Sequence, residues 1–311
     1  MTTNTAQQIA RYLLTTLAAV VLTCGATAAA GTLLDEDFSA DPVIASGAVI
    51  DGDSGRFSFA PGGLTAAYDT ALPTAKYRWA LPAQLTDATD FTATVEFEIA
   101  SAGYFADPNG FAQFAFGLVN STTTGTDRAG GTAADAFDIV TVDYFPNVSP
   151  TFGGPALAPT VVLSDNGTGY FGRIKFLSGP EPGLDDEGPL PLDTTLTAVL
   201  DYVAATRTLT LAMSTGAGPL DVNSVGEGFV AGGLDGNIAT IQNVLDPGDV
   251  FTTDSFALTL WEDTFGGGAT TAAADITFRS IVVTSDVFVP EPAGLLLATI
   301  GLIMVGTARR R

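Results

Sequence analysis

The chain has 311 residues, with 34 acidic against 12 basic side chains, no histidine and a single cysteine. A net charge of −22 repels phosphates and anionic headgroups, which excludes nucleic acid as a partner. The lack of histidine, with the lone cysteine near the amino terminus, excludes His- or Cys-dependent nucleophilic triads and His- or Cys-ligated zinc.

In chain order, the first element is a leader. Met1 to Arg11 carries one basic side chain, and no acidic residue occurs before Asp35. Tyr12 to Thr23 is apolar or small, and Ala26-Thr-Ala-Ala-Ala30 offers A-x-A sites after Ala28 or Ala30. This is the pattern of a secretory signal peptide, residues 1–30, to be removed by signal peptidase. Thr23 before Cys24 is a poor match to a lipidation signal, so Cys24 is expected to leave with the leader. The mature chain then has no thiol and must fold on its hydrophobic core alone. Without Arg11 and the three terminal arginines, 8 basic residues remain against 34 acidic ones, a net of about −26.

Two acidic segments follow. Asp35, Glu36, Asp37 and Asp41 lie close in sequence, and Asp51-Gly-Asp-Ser-Gly55 adds two carboxylates beside a glycine turn. Hard oxygens in such number suit Ca²⁺, with Asp51, Asp53, Asp35 and Asp37 as the candidate ligands. The loop departs from D-x-[DN]-x-[DN]-G at Gly55, so an ordinary turn is the competing reading. A further cluster, Asp185-Asp-Glu187, reads as a solvated loop.

From there the body reads as all-β, with period-2 runs and dense Gly and Thr turns. Strands are expected at Phe91–Ile99, Phe111–Val119, Phe137–Tyr144, Leu196–Val203, Thr208–Met213, Asp254–Trp261 and Asp275–Val283. Weaker ones are expected at Gly55–Phe59, Pro159–Leu163 and Tyr170–Phe176. Asp165-Asn-Gly167 signals a hairpin, and Ala204-Ala-Thr-Arg207 is a tight connection. These runs predict two packed antiparallel sheets within one domain, residues 31–286, with no helix beyond about three turns.

Chemistry in this body is sparse. A glycosidase needs two carboxylates flanking a sugar. Glu96 and Glu98 share a strand face, while Asp138 and Asp143, five apart, point to opposite faces. A solvated strand face explains the first pair without catalysis. Sugar binding would need exposed aromatic faces, for which Trp79, Tyr104 and Tyr144 are the candidates, beside Tyr77 and Trp261. Adjacent pairs such as Tyr104-Phe105 and Tyr144-Phe145 cannot both face inward on a regular strand. Asn120, Asn147 and Asn166 lie in N-x-S/T sequons within turn-like segments.

The chain closes on Val289-Pro290-Glu291-Pro292, an uncharged apolar run from Ala293 to Ala308, and Arg309-Arg310-Arg311. Sixteen helical residues span roughly 24 Å, slightly less than a bilayer core, and the arginines would stay on the cytoplasmic side. The prolines hold Glu291 in an extended, accessible segment. Residues 287–311 are therefore expected to be a tail with a transmembrane helix at 293–308.

The order of motif, apolar helix and basic stop resembles the PEP-CTERM sorting signal of bacterial exported proteins. That resemblance implies cleavage by an exosortase-type enzyme, with the chain held in the inner membrane and its body outside. The body is also similar, in strand pattern, to concanavalin A-like (laminin G-like) jelly rolls. The similarity rests on Leu34-Asp-Glu-Asp-Phe-Ser-Ala-Asp-Pro42, Leu200–Leu211 and Ile276–Val283, and implies a sandwich over Gly31 to Asp286. The expected function is that of a non-enzymatic cell-surface or matrix protein whose sandwich binds extracellular polysaccharide. A secreted glycan-active hydrolase with an unrecognised carboxylate pair is the alternative.

Overall fold

The computed structural model describes residues 31–69, 72–100, 114–125, 137–145, 156–165, 168–171, 191–219, 240–262 and 273–287. The leader, Tyr104, Asn147, Asn166, Asp185–Glu187 and the tail with Val289–Pro292, the 293–308 run and Arg309–Arg311 lie outside them.

Sixteen strands appear among these residues. They are β1 (Gly31–Glu36), β2 (Val49–Asp51), β3 (Phe57–Ala60), β4 (Gly63–Asp69), β5 (Ala75–Thr86), β6 (Phe91–Ile99), β7 (Phe114–Val119) and β8 (Ile139–Phe145). The second half supplies β9 (Ala156–Val162), β10 (Thr168–Phe171), β11 (Leu196–Val203), β12 (Thr208–Thr215), β13 (Gly218–Pro219), β14 (Thr240–Val244), β15 (Thr252–Leu260) and β16 (Ala273–Ser285). The helical content of the described residues is one short helix, α1 (Pro42–Ala45), capped by the Asp41 side chain, and one 3-10 turn, Ser54–Arg56.

All pairings are antiparallel, and they build two sheets that form a jelly-roll sandwich. The nine-stranded sheet runs β13-β12-β11-β6-β16-β4-β3, with β1 on β16 and β14 on β12. The seven-stranded sheet runs β10-β9-β8-β7-β15-β5-β2. Alternation explains the core. Odd positions of β6 (Phe91, Ala93, Val95, Phe97, Ile99) and even positions of β15 (Phe256, Leu258, Leu260) turn inward and are almost fully buried. Phe97 and Phe278 from the larger sheet meet Phe116 and Phe114 from the smaller one, with ring centroids 5.0 and 5.6 Å apart. Each such ring contributes about 1.5–3 kcal/mol by leaving water, which lets the fold stand without a disulfide.

The expected strands at Phe91–Ile99 and Leu196–Val203 are found with those bounds. Gly55 and Arg56 belong to the 3-10 turn instead, and the strand behind them begins at Phe57. The longest element that the pattern did not announce is β5. Its Pro82 lies in the stretch Leu81–Gln84, where the register to β15 jumps from Ala80 against Ser255 to Leu85 against Thr253. A proline is tolerated where no ladder bond is required of it.

Candidate functional site

The outward face of the seven-stranded sheet carries an unusual set of side chains. Across four strands, register aligns Lys76, Thr259, Ala115 and Asp143, and the next row aligns Arg78, Ala257, Gly117 and Thr141. Most of this face is buried. Asp143 is 0% exposed, and its carboxylate accepts hydrogen bonds from Thr141 Oγ1 at 2.7 Å and Thr160 Oγ1 at 2.6 Å. Lys76 Nζ donates to the carbonyls of Thr124 (2.6 Å) and Gly125 (2.5 Å), and stands 5.6 Å from the centre of the Trp261 ring. Gly117 has φ +145°, and a Cβ there would lie 2.6 Å from the Val140 carbonyl oxygen.

The turn after β7 folds over this face. The Asn120 amide donates to the Thr252 carbonyl, and its Oδ1 accepts from the Thr122 and Thr123 backbone and the Thr122 hydroxyl. Asp138, in the left-handed region at φ 54°, ties the turn down. Its carboxylate accepts from Thr123 Oγ1 (2.7 Å), Ser164 Oγ and the Thr252 amide (2.8 Å). Nothing in the strand pattern singled out Asp138 for this role. A short acidic side chain before a strand tolerates a left-handed backbone, and that is the only sequence cue to it.

At the rim the polar network reaches water. Arg78 Nε donates to Asp51 Oδ2 at 3.1 Å and its Nη1 to Ser255 Oγ at 3.4 Å. Ser255 Oγ donates in turn to Asp254 Oδ1, and Asp254 accepts both the hydroxyl and the amide of Ser121, at 2.7 and 2.8 Å. Burial acts to raise the Asp254 carboxyl, but the Ser121 and Ser255 donors and the Arg78 charge outweigh it, leaving the pKa below the ordinary value. Asp51, Arg78, Ser255, Asp254 and Ser121 thus form a continuous, partly exposed chain of oriented donors and acceptors. This rim is the candidate site.

The other expected site residues fall elsewhere. Asp51 and Asp53 do not join Asp35 and Asp37 in a calcium cage, and three of these carboxylates have local work. Asp51 pairs with Arg78, Asp53 Oδ1 caps the 3-10 turn through the Gly55 amide, and Asp37 Oδ1 accepts from the Ser39 amide. Asp35 is exposed on β1, opposite Val282. Among the described residues no three acidic, His or Cys side chains gather so that they could hold a metal ion.

Trp79 and Tyr144, expected as sugar-stacking faces, are each 1% exposed. Their strands turn them into the core, where Trp79 packs on Phe38, Tyr77 and Phe256. Its indole Nε1 donates to Glu36 Oε2 and Ser46 Oγ, which anchors α1 to the core. Beside it, burial first and then Asp41 and Glu36 push the Tyr77 pKa up to about 12. Trp261 is also buried, at 2%. Tyr104 lies outside the described residues.

Glu96 and Glu98 lie on the solvated face of the nine-stranded sheet, bonded to Ser280 and paired with Arg279 at 3.4 Å. Asn120 is 7% exposed with its amide engaged, so it acts as a turn organiser and not as a glycan acceptor. One further cleft, about 370 Å³, is lined by Asp53, Arg56, Tyr68, Asp69, Leu72 and Asp275. Arg56 is 3% exposed there and donates to the carbonyls of Ala67, Asp69 and Pro73. It closes the cleft floor as a clamp on the backbone.

No protein-family model matches the chain, and no curated protein does. Among solved structures it is similar to peanut lectin in complex with a nine-residue peptide, at 14% identity and TM-score 0.46, covering 82% of this chain and 97% of that one. It is similar to a lectin from Bauhinia forficata in complex with GalNAc, at 13% identity, 83% and 98% coverage and TM-score 0.46. Winged bean acidic lectin complexed with methyl-α-D-galactose gives 12%, 83% and 98% coverage, and 0.48.

Proposed function

We propose that this is an exported, non-enzymatic protein, sorted through a PEP-CTERM tail, whose sandwich binds polysaccharide at the cell surface or in the extracellular matrix. The observation that carries the reading is the order of Pro290-Glu-Pro292, the uncharged run 293–308 and Arg309–Arg311. A leader at 1–30 takes the chain into export, the run halts it in the inner membrane with the body in the periplasm, and an exosortase-type enzyme cuts near Glu291. The mature protein then reaches the surface or the medium.

Two features of the body fit a binder. The Asp51–Arg78–Ser255–Asp254–Ser121 rim offers oriented hydrogen-bonding groups of both senses, which is the chemistry sugar hydroxyls require. Asp254 is held below the ordinary carboxylate value, the opposite direction from that of a glycosidase's acid.

The deciding experiment compares wild type with Glu291→Ala in a host that has the processing enzyme. Wild type should appear outside the cell without its C-terminus, while Glu291→Ala should accumulate as a slightly larger membrane-bound form. Released wild-type protein intact through Arg311 by mass spectrometry would sink the reading. The sugar part is tested separately, by glycan-array binding of the released protein with and without calcium. Arg78→Ala should weaken any glycan signal, because it breaks the rim at two bonds.

A further inference from the structure

Both ends of the described sandwich leave it at the same corner. The first residue of β1, Gly31, pairs with the last residue of β16, Ser285. The same row continues through Phe91, Tyr202 and Leu209 to Asn243. The exit is fastened there. Ser285 Oγ and the Asp286 amide donate to the Asp90 carbonyl, at 2.6 and 3.3 Å, and the Val287 amide donates to Ser285 Oγ at 3.2 Å. The carboxylate of Asp90 also accepts from the Ala204 amide at 2.6 Å, which ties the exit to the 204–207 turn.

Five residues, Phe288 to Pro292, separate Val287 from the first residue of the apolar run, Ala293. At 3.3–3.6 Å per residue they reach at most about 18 Å. We infer that the folded sandwich stands on the membrane by its 204–207 end, with the processing motif confined to the narrow gap between body and bilayer. This inference rests on the tail reading above. It specifies what that reading leaves open: which face of the protein meets the lipid, and why only an enzyme itself seated in the membrane would reach the motif.

Strand direction defines what lies near and what lies far. The turn 87–90, the 204–207 turn, the Leu245–Phe251 segment and the start of the Asn120–Gly125 turn sit at the tail end, as the pairing of Thr86 with Thr252, of Val203 with Thr208 and of Val119 with Ser255 requires. The β12–β13 hairpin, with Gly216 at its tip, lies at the other end, beyond the Leu196–Thr215 pair. The eight residues of β11 separate the two ends by about 27 Å. The near end is acidic, with Asp87, Asp90, Asp246, Asp249, Asp254 and Asp286 against Arg207, which is itself paired with Asp87 at 2.9 Å, and Arg78, whose charge acts on Asp254. Anionic headgroups therefore push this end outward while the short linker holds it in.

The test uses the full-length Glu291→Ala protein with Cys24→Ser, reconstituted in phosphatidylethanolamine/phosphatidylglycerol vesicles that carry a headgroup-linked energy acceptor. One donor dye is placed at Thr206→Cys or at Gly216→Cys. Thr206 and Gly216 are exposed turn residues, and a Cβ at Gly216 meets nothing within 4 Å. Transfer should be roughly twofold or more stronger from position 206 than from 216, given the ~27 Å strand, and should rise at position 206 as salt screens the repulsion. Equal transfer at both positions, or stronger transfer at 216, from protein that floats with the vesicles overturns the orientation and leaves the tail reading standing. Protein that fails to float removes the tail reading, and this inference with it.

Discussion

The two sheets follow the same alternation on their inward faces and diverge on their outward ones. On the nine-stranded sheet the outward face is wet: Thr92, Thr94, Glu96 and Glu98 of β6 are all half-exposed. On the seven-stranded sheet β7 is buried at every position, and β15 is buried from Ser255 to Leu260. A strand covered on both sides must fill its outer face with small or hydrogen-bonded groups. Ala115, Gly117, Ala257, Thr141 and Asp143 do so here. The first sheet is therefore tolerant outside and the second is not, and four measurements test how far that contrast goes.

The largest effect is expected at Gly117. Its φ of +145° and the 2.6 Å approach of the Val140 carbonyl oxygen leave no room for a methyl group. Gly117→Ala should cost about 3 kcal/mol, from backbone strain plus overpacking, and should lower folded yield and thermal midpoint sharply. A midpoint within a degree of wild type would show that the β7–β8 pair relaxes easily.

Next comes a matched pair of carboxylates. Asp143→Ala strands two hydroxyls, Thr141 and Thr160, in a dry setting, so a loss of about 1–3 kcal/mol is expected in urea unfolding. Glu96→Ala on the wet sheet should change stability by no more than about 0.5 kcal/mol. Equal losses would erase the contrast between the faces.

Asp254 at the rim should give a pH signature. Its pKa is lower folded than unfolded, so its contribution is complete above the ordinary carboxylate value, about 4, and disappears as pH falls through the folded value. The midpoint of Asp254→Asn should thus lie below that of wild type at neutral pH and converge on it in acid. A gap that widens on acidification would reverse the assignment.

The smallest effect carries the opposite sign. Thr259 Oγ1 is buried without a hydrogen-bond partner, on the dry outward face. Thr259→Val keeps the shape and removes the unsatisfied hydroxyl, so it should gain up to about 1 kcal/mol. A loss of similar size would point to a partner, such as a bound water, for that hydroxyl.

Much of the sandwich was legible because burial on one face writes itself as alternation, as in β6 and β11. Strands that lack such a face were harder to read. β2 has three residues and β13 two, too few to show a period, and β5 hides behind Pro82. The rim was legible only in part. Asp51 stands out in the sequence by its charge, yet its partner Arg78 comes from β5 and Ser255 from β15, a pairing that register alone creates. The burial of Trp79 is not legible in the sequence, because an aromatic side chain looks the same there whether its ring meets water or Phe38.

The pairing of β16 also bears on how the protein carries load. The strand that continues into the tail is not at the margin of its sheet: β6 flanks it along one side, and β4 and β1 share the other. Traction on the C-terminus therefore runs parallel to three ladders at once and stresses their hydrogen bonds in shear, with no free edge from which they can unzip one by one. On the tail reading proposed above, this arrangement would let the body resist being pulled apart by drag.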